Sequence, residues 1–422
     1  MKKCLIVLCS AYPFSLDDTF LETEIWFHEK NYEKIIIFAI DVNPDEKILR
    51  EIPANVECYN VSTKPQKRGK IGFAFKGMLN LFKKSDYRAI EKDAINGDIR
   101  RKVFLEYFIS RASCQYRECE KILKNYDFSQ YDGVMIYSYW LFISSMMGIM
   151  IKKNISNTCN NVKLITRAHR YDLYEDVNKL KYLPLRKYLL ENMDAVFPCS
   201  VDGENTLKEK YPEYGDKIKH SYLGTFDKGS SRASENEFNI VSCARTIKVK
   251  RIEKIIDALS LLKGKDTKKI TWTHIGDGED QENVKKLAEE KLGFMDVKLV
   301  GEKSNSDVYE YYKTNSVDLF INTSFSEGVP VSIMEAISFG IPVLATDVGG
   351  VSEIIEDGYN GWLIDPDFTD AELAEKIKKI SECNAQEIKK FRLNARSFWE
   401  THYDAENNYT LFADRLVDLL TS

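Results

Sequence analysis

Residues 317–365 read VDLFINTSFSEGVPVSIMEAISFGIPVLATDVGGVSEIIEDGYNGWLID. An apolar run at 318–324 has the length of a buried strand. Phe325-Ser326-Glu327-Gly328 follows as a loop. Pro330 is expected at the first helical position, where its missing N–H costs nothing. The segment VSIMEAISF then reads as a helix that stops at Gly340. A second apolar run, 342–346, restores strand character. Strand, helix and strand in this order make one unit of a parallel sheet covered on both faces. Ligands of such sheets sit where a strand's C-terminal end passes into a helix N-terminus. Free N–H groups at Gly328, Val329 and Val331, with the helix dipole, suit an anionic oxygen there.

Two carboxylates stand out in this frame. Glu335 lies in an otherwise apolar helix, and a buried carboxylate without a donor costs several kcal/mol. Sugar or ribose hydroxyls would be suitable donors; a core arginine would serve equally well. Glu327 sits in the loop at the helix mouth, where a bound ligand or simply the helix dipole accounts for it.

A basic loop at 242–251 (SCARTIKVKR) follows another strand pattern and precedes the helix IEKIIDALSLL. Arg245 and Lys250 offer a guanidinium fork and an ammonium, the pairing expected around a diphosphate. The next strand ends in His274-Ile275-Gly276-Asp277-Gly278, a tight turn without the rest of a dinucleotide fingerprint.

Working outward, strands are expected at 3–9, 34–40, 133–139, 162–167, 194–199 and 218–223. A second series is expected at 239–244, 269–275, 296–300, 318–324 and 342–346. Amphipathic helices lie between them, so the fold class is α/β with two doubly wound domains. The polar stretch 227–237 (DKGSSRASENE) reads as the linker between a domain at 1–226 and one at 238–401. Residues 133–151 carry no charge and approach the length of a membrane span. Tyr137, Ser138, Tyr139, Ser144 and Ser145 within them favour a strand, a turn and a buried helix.

The 422 residues include 60 Lys and Arg against 65 Asp and Glu, a net charge of −5, which disfavours a general nucleic-acid binder. Charge is uneven: residues 51–200 hold 25 basic and 16 acidic side chains, residues 301–422 hold 10 and 22. Segment 64–84 (KPQKRGKIGFAFKGMLNLFKK) mixes lysines with Phe73, Phe75, Met78, Leu79 and Phe82. It reads either as a basic amphipathic helix on an anionic membrane surface or as a core-packed helix with a solvated face. Nine scattered cysteines without a C-x-x-C pair point to a reducing compartment and to no structural metal. The start, MKKCLIVLC, is too short an apolar run for a signal peptide and reads as a first strand.

With these residues in hand, the chain resembles the family-4 retaining glycosyltransferases of GT-B fold. Glu327-Gly328-Val329-Pro330 with Glu335 is similar to the family's E-x7-E signature. Arg245, Lys250, the turn 276–278 and the run Val348-Gly349-Gly350 through Gly361 fit the same pattern. The resemblance is strong over 240–365 and weaker in the N-terminal half. It implies two Rossmann-like domains facing across a cleft. The N-terminal one would bind the acceptor, and a final helix near 402–422 would cross back to it.

The resemblance also implies roles. Glu335 would take the ribose hydroxyls, and Glu327 would contact the donor sugar. Arg245 and Lys250 would hold the diphosphate, with Gly276, Gly328, Val329 and Pro330 lining the donor site. His169, in Arg167-Ala168-His169-Arg170-Tyr171-Asp172, would join Glu327, Arg245 and Lys250 as a catalytic candidate. No metal and no cofactor is expected. Asp365-Pro366-Asp367 has the D-x-D form but sits in an expected turn. The expected reaction moves a hexose or N-acetylhexosamine from a nucleoside diphosphate sugar, UDP favoured, to a glycan or lipid-linked acceptor, with retention. The expected place is the cytoplasm, peripheral to the inner face of the membrane. The chain lacks the glycine-rich loop that many relatives carry after the first strand. Two other readings share the architecture: a nucleotide-sugar 2-epimerase, and a non-catalytic scaffold of a glycan-synthesis complex.

Overall fold

The computed structural model describes residues 1–15, 17–62, 86–234, 236–265 and 268–421. The chain forms two compact units, Met1–Leu223 with Asn407–Ser422, and Gly224–Glu406.

The first unit holds six parallel strands: β1 (Lys3–Cys9), β2 (Lys34–Ala39), β3 (Val56–Asn60), β4 (Gly133–Ser138), β5 (Val162–Ala168) and β6 (Ala195–Pro198). Their order is β3-β2-β1-β4-β5-β6. Strand alternation sends Cys4, Ile6 and Leu8 into one core, and Leu5, Val7 and Cys9 into the other. Both sets are apolar, because helices cover both faces. Leu105 and Phe108 of helix Ile99–Leu123 pack on the first face with Met146 and Met147 of helix Ile143–Ile155. Leu21 and Ile25 of helix Thr19–His28 pack on the second, with Phe412, Leu416 and Leu420 of the terminal helix Ala405–Thr421.

The second unit repeats the plan with β7 (Glu237–Cys243), β8 (Lys269–Ile275), β9 (Asp296–Leu299), β10 (Leu319–Asn322), β11 (Val343–Thr346) and β12 (Gly361–Ile364). The order is β12-β11-β10-β7-β8-β9, all parallel. Ile240, Trp272, Leu319 and Leu344 share a core with Ile255, Ile256 and Leu259 of helix Ile252–Ser260.

Several elements differ from the sequence reading. Residues 218–223 form no strand: Ile218 makes one isolated bridge to Val196, and only Lys219 and Ser221 donate onward to β6. A four-residue β6 offers too short a ladder for more. Edge strands β3 and β12 were not expected, because a half-exposed edge needs no continuous apolar run. The stretch 227–237 belongs to the second unit. There the Ser231 N–H donates to the Phe339 carbonyl, Ser234 N–H to Asp318, and Val317 N–H to the Arg232 carbonyl. Glu237 already lies in β7. Its polarity reflects a solvent-facing packed segment rather than a free linker.

The uncharged run 133–151 divides into β4 and helix Ile143–Ile155, and the hydroxyls of Ser138, Ser144 and Ser145 bond to one another and to the Trp140 carbonyl. No helix among the described residues is long and apolar enough to cross a membrane. Segment 64–84 lies outside the described residues. All nine cysteines are free thiols.

Candidate functional site

Strand order decides which loops meet. β7 lies between β10 and β8, and β10 lies between β11 and β7. The loops that leave the C-terminal ends of β11, β10, β7 and β8 therefore stand side by side along one sheet edge. They carry Gly349-Gly350, Glu327-Gly328-Val329, Arg245 to Lys250, and Gly276 respectively.

Glu327 is 8% exposed and sits in the loop after β10. Its Oε1 accepts from Lys250 Nζ at 2.7 Å and from Asn322 Nδ2 at 3.2 Å. Lys250 ends the short 3-10 turn Lys248–Lys250 after β7. The Phe325 N–H donates to the Val249 carbonyl, which binds the two loops backbone to backbone.

The helix Val331–Ser338 starts one residue later than expected, with Pro330 as its cap. Pro330 has a helical φ of −75° but an extended ψ of 116°, and its carbonyl accepts from Ile333 and Met334. The N–H groups of Gly328, Val329, Val331 and Ser332 reach no acceptor among the described residues. They are available to an anion. Gly349 and Gly350 hold this loop from behind. A Cβ on Gly349, at φ +54°, would stand 2.1 Å from the Glu327 carbonyl oxygen, and the Gly350 N–H donates to Gly328.

Glu335 is 6% exposed. It accepts 2.9 Å from the Tyr309 hydroxyl. Burial pushes its pKa up to about 7, and the Tyr309 bond offsets only part of that. Such a carboxyl can accept further hydroxyl donors once it ionises.

On the other flank, Gly276 allows two loops to touch. Its φ is +146°, and a Cβ there would lie 1.9 Å from the Ala244 carbonyl oxygen. The Thr246 N–H donates to Asp277, and Asp280 N–H donates back to Thr246. His274 braces this pair from beneath, with Nδ1 2.9 Å from Ser242 Oγ and Nε2 3.1 Å from Thr246 Oγ1. Burial holds its pKa down at about 4, so the ring is neutral. Arg245 is exposed on this loop, and its side chain has no partner among the described residues.

The structure thus brings Lys250 onto Glu327, and gathers Gly328, Val329, Pro330 and Gly276 along the same edge. Arg245 is on that edge but contacts none of them. His169 belongs to the first unit, where it follows β5 and caps the turn Arg170–Leu173. Its Nε2 lies 3.1 Å from the Tyr139 carbonyl and its Nδ1 3.3 Å from Cys199 Sγ. Burial, then the charge of Arg167, keeps its pKa at about 3. With both nitrogens occupied and the ring neutral, a proton-transfer role is the least suited to it; Nε2–H is a fixed donor. Asp172 accepts from the His169 N–H at 2.6 Å and from Leu141 N–H, tying the β5 loop to the β4 loop.

Sequence reasoning missed Asn322 and Tyr309. Asn322 left a signal, one amide closing the apolar strand LFIN. Tyr309 left none, because only the packing of helix Asn305–Thr314 brings it to Glu335. The D-x-D stretch is an Asx turn, the Asp367 N–H donating to Asp365 Oδ1.

Two doubly wound parallel units define the class, and it is the GT-B fold. The lipopolysaccharide outer core galactosyltransferase WaaB superposes with a TM-score of 0.69 over 99% of each chain at 16% identity. Residues 225–398 match the family described as glycosyl transferases group 1. The curated relatives that the chain is similar to are glycosyltransferases. The GtfA subunit of a UDP-N-acetylglucosamine–peptide N-acetylglucosaminyltransferase from Streptococcus agalactiae is 28% identical over 58% of this chain and 48% of its own. The amylovoran biosynthesis glycosyltransferase AmsK from Erwinia amylovora is 30% identical over 44% of this chain and 46% of its own. The chain spans about half the length of these curated relatives.

Proposed function

We propose that this protein is a family-4 retaining glycosyltransferase acting in cell-surface polysaccharide synthesis. It would move a hexose or N-acetylhexosamine from a UDP-sugar to a glycan or lipid-linked glycan, without a metal or cofactor, at the cytoplasmic face of the membrane. The observation that carries this reading is the edge of the second sheet. There, four N–H groups with no acceptor among the described residues lie in the chain between two buried carboxylates, one of them paired with a lysine. The relatives' names support a UDP-sugar donor and a polysaccharide product.

Each group has a task in this reading. The N–H groups of Gly328, Val329, Val331 and Ser332 and the Lys250 ammonium take the diphosphate, with Arg245 closing onto it. Glu335 accepts the ribose hydroxyls beside Tyr309. Glu327, held by Asn322, faces the donor sugar. The bond from C1 to the diphosphate oxygen breaks as a bond from C1 to the acceptor oxygen forms on the same face. The acceptor's hydroxyl proton passes to the departing diphosphate. Cationic and N–H donors aimed at that diphosphate stabilise its growing charge.

The test is thermal unfolding of the full chain with UDP, GDP, ADP or NAD. A ligand at ~100 times its dissociation constant adds roughly 2.7 kcal/mol of stability. A shift with UDP alone, lost in Glu335→Ala, is expected. A shift with no nucleotide diphosphate would overturn the reading.

A further inference from the structure

The second unit has a cavity at the sheet edge opposite to that of Glu327 and Lys250, about 930 Å³ in volume. Phe238 lies at the start of β7 and Asp318 immediately precedes β10, whereas Lys250 and Glu327 follow the far ends of the same two strands. Phe339 and Gly340 close the wall at the C-terminal end of helix Val331–Ser338, and Arg392 and Leu393 reach it from helix Ala385–His402. The size is that of a pocket for a small organic ligand.

The chemistry of the wall follows from which of its groups are already matched. Its carboxylates are engaged by the chain itself. Asp227 accepts from both terminal nitrogens of Arg396, and Asp318 accepts from the Ser234 and Asn239 N–H groups at 2.8 Å each. Glu237 pairs with Lys269 at 2.9 Å. What remains is cationic and apolar. Arg392 Nη1 donates to the Val317 carbonyl at 2.7 Å, while its buried Nη2 meets no acceptor among the described residues. Lys268 and Lys389 are exposed, and neither ammonium has a carboxylate partner among the described residues. Phe238, Phe339, Ile380 and Ile388 give the wall its apolar surface, and Leu393 remains 61% exposed. A guanidinium with an unmatched donor suits a carboxylate or a phosphate, and the apolar side chains suit hydrocarbon.

We propose that this cavity binds an amphipathic anion, with a carboxylate or phosphate head on Arg392 and Lys389 and an apolar chain along Phe238, Phe339 and Ile388. The site is distinct from the one proposed for the nucleotide and does not depend on that reading. The two lie at opposite ends of helix Val331–Ser338. The Ser231 N–H and Arg396 Nη1 hold the carbonyls of Phe339 and Ser338 at one end, and the unmatched N–H groups of Val331 and Ser332 lie at the other. Neither an uncharged hydrocarbon nor a bare inorganic anion matches both halves of the wall.

The experiment is isothermal titration calorimetry on the full chain, with each amphiphile kept below the concentration at which it forms micelles. The probes are decanoate, decyl phosphate, decanol and inorganic phosphate, each with and without UDP. Decanoate or decyl phosphate is expected to bind at one site per chain, several-fold more tightly than decanol or inorganic phosphate, and UDP should not displace it. Lys389→Glu and Arg392→Met should each weaken binding several-fold. Lys389 is exposed, so Lys389→Glu tests the site even where Arg392→Met, which leaves the Val317 carbonyl without its donor, fails to fold. Retained thermal unfolding midpoints establish which variants fold. Tighter binding of decyl phosphate would support the site with a lipid phosphate as its source of ligand, and tighter binding of decanoate would support it with a free fatty acid. No binding of either amphiphile, equal binding of decanol, unchanged affinity in Lys389→Glu, or displacement by UDP would overturn it.

Discussion

Lys250 Nζ stands 2.7 Å from Glu327 Oε1, across 77 residues of sequence. The pair exists because β7 and β10 are neighbours, so the loops that leave them are neighbours too. It ties together the two groups that, in the proposed reaction, hold the diphosphate and the donor sugar.

The pair predicts a measurable coupling. Glu327 is nearly buried, whereas the Lys250 side chain is 23% exposed, so the interaction is only partly desolvated. Lys250→Met leaves Glu327 with Asn322 alone. A double-mutant cycle with Glu327→Gln, read by urea unfolding, should show about 1–3 kcal/mol of coupling. Additive single effects would mean that the two side chains act independently. Both single variants should lose transfer activity by at least tenfold in a product assay.

Glu335 predicts a pH dependence. Its folded pKa of about 7 is above the ordinary 4.5 because burial disfavours the charge. Both states are protonated below pH 4.5, so the stability tied to Glu335 is fully present there. It falls as pH rises, and is lost once pH passes about 7, by an amount on the order of 3 kcal/mol. Glu335→Gln should remove this slope and unfold later than the wild type at pH 8. Nucleotide binding should run the opposite way, because in the proposed reaction ribose hydroxyls donate to the carboxylate. Wild-type affinity for uridine nucleotides should rise between pH 6 and 8 and flatten in Glu335→Gln, by calorimetry. Parallel curves for the two proteins would show that Glu335 does not titrate in this range.

Gly276 predicts a steric lesion in the basic loop. An alanine there meets the Ala244 carbonyl at 1.9 Å, in addition to adopting φ +146°. The loop must move, at ~2–4 kcal/mol of stability, and Lys250 should lose its register on Glu327. Gly264 is the control. It also has positive φ, +71°, but nothing lies within 4 Å of its Cβ position. Gly264→Ala should cost about 1 kcal/mol and leave nucleotide binding intact. Equal costs, measured by denaturant unfolding, would mean that backbone dihedrals alone matter at both sites.

A buried ion pair secures the terminal helix. Arg167 and Glu24 meet at 2.9 Å with neither side chain exposed. The Arg167 guanidinium lies 3.9 Å from the centre of the Phe412 ring and donates to Tyr137 and the Ser221 carbonyl. Arg167→Met removes the guanidinium that faces the Glu24 carboxylate, leaving His28 Nε2 at 3.5 Å, and should cost ~3–5 kcal/mol. Adding Glu24→Gln should recover part of it. Removal of residues 405–422 exposes the face that Phe412, Leu416 and Leu420 cover, and should unfold the first unit before the second in limited proteolysis. Unchanged protease resistance would show that the helix is dispensable to that core.

Much of the molecule was legible in the chain. Continuous apolar runs marked the central strands of both sheets, because a strand buried on both faces must be apolar at every position. The edge strands β3 and β12 were not legible, because one side of each faces solvent or its loops. The carboxylate in the helix IMEAI announced Glu335, since an acidic residue there has to be satisfied by something. His169 was legible as a residue at a strand end; the occupied state of its two nitrogens was not.

Sequence by itself determined the α/β class, the strand-to-helix junction at 324–331 and the residue types that can hold an anion and a sugar. These are local properties of period, capping and charge. Tertiary structure decided which junctions share an edge. Placing β10 beside β7 put Glu327 on Lys250, and packing of helix Asn305–Thr314 put Tyr309 on Glu335. Strand order is set by the burial of whole faces against distant helices, and that energy resides in no local stretch of the chain.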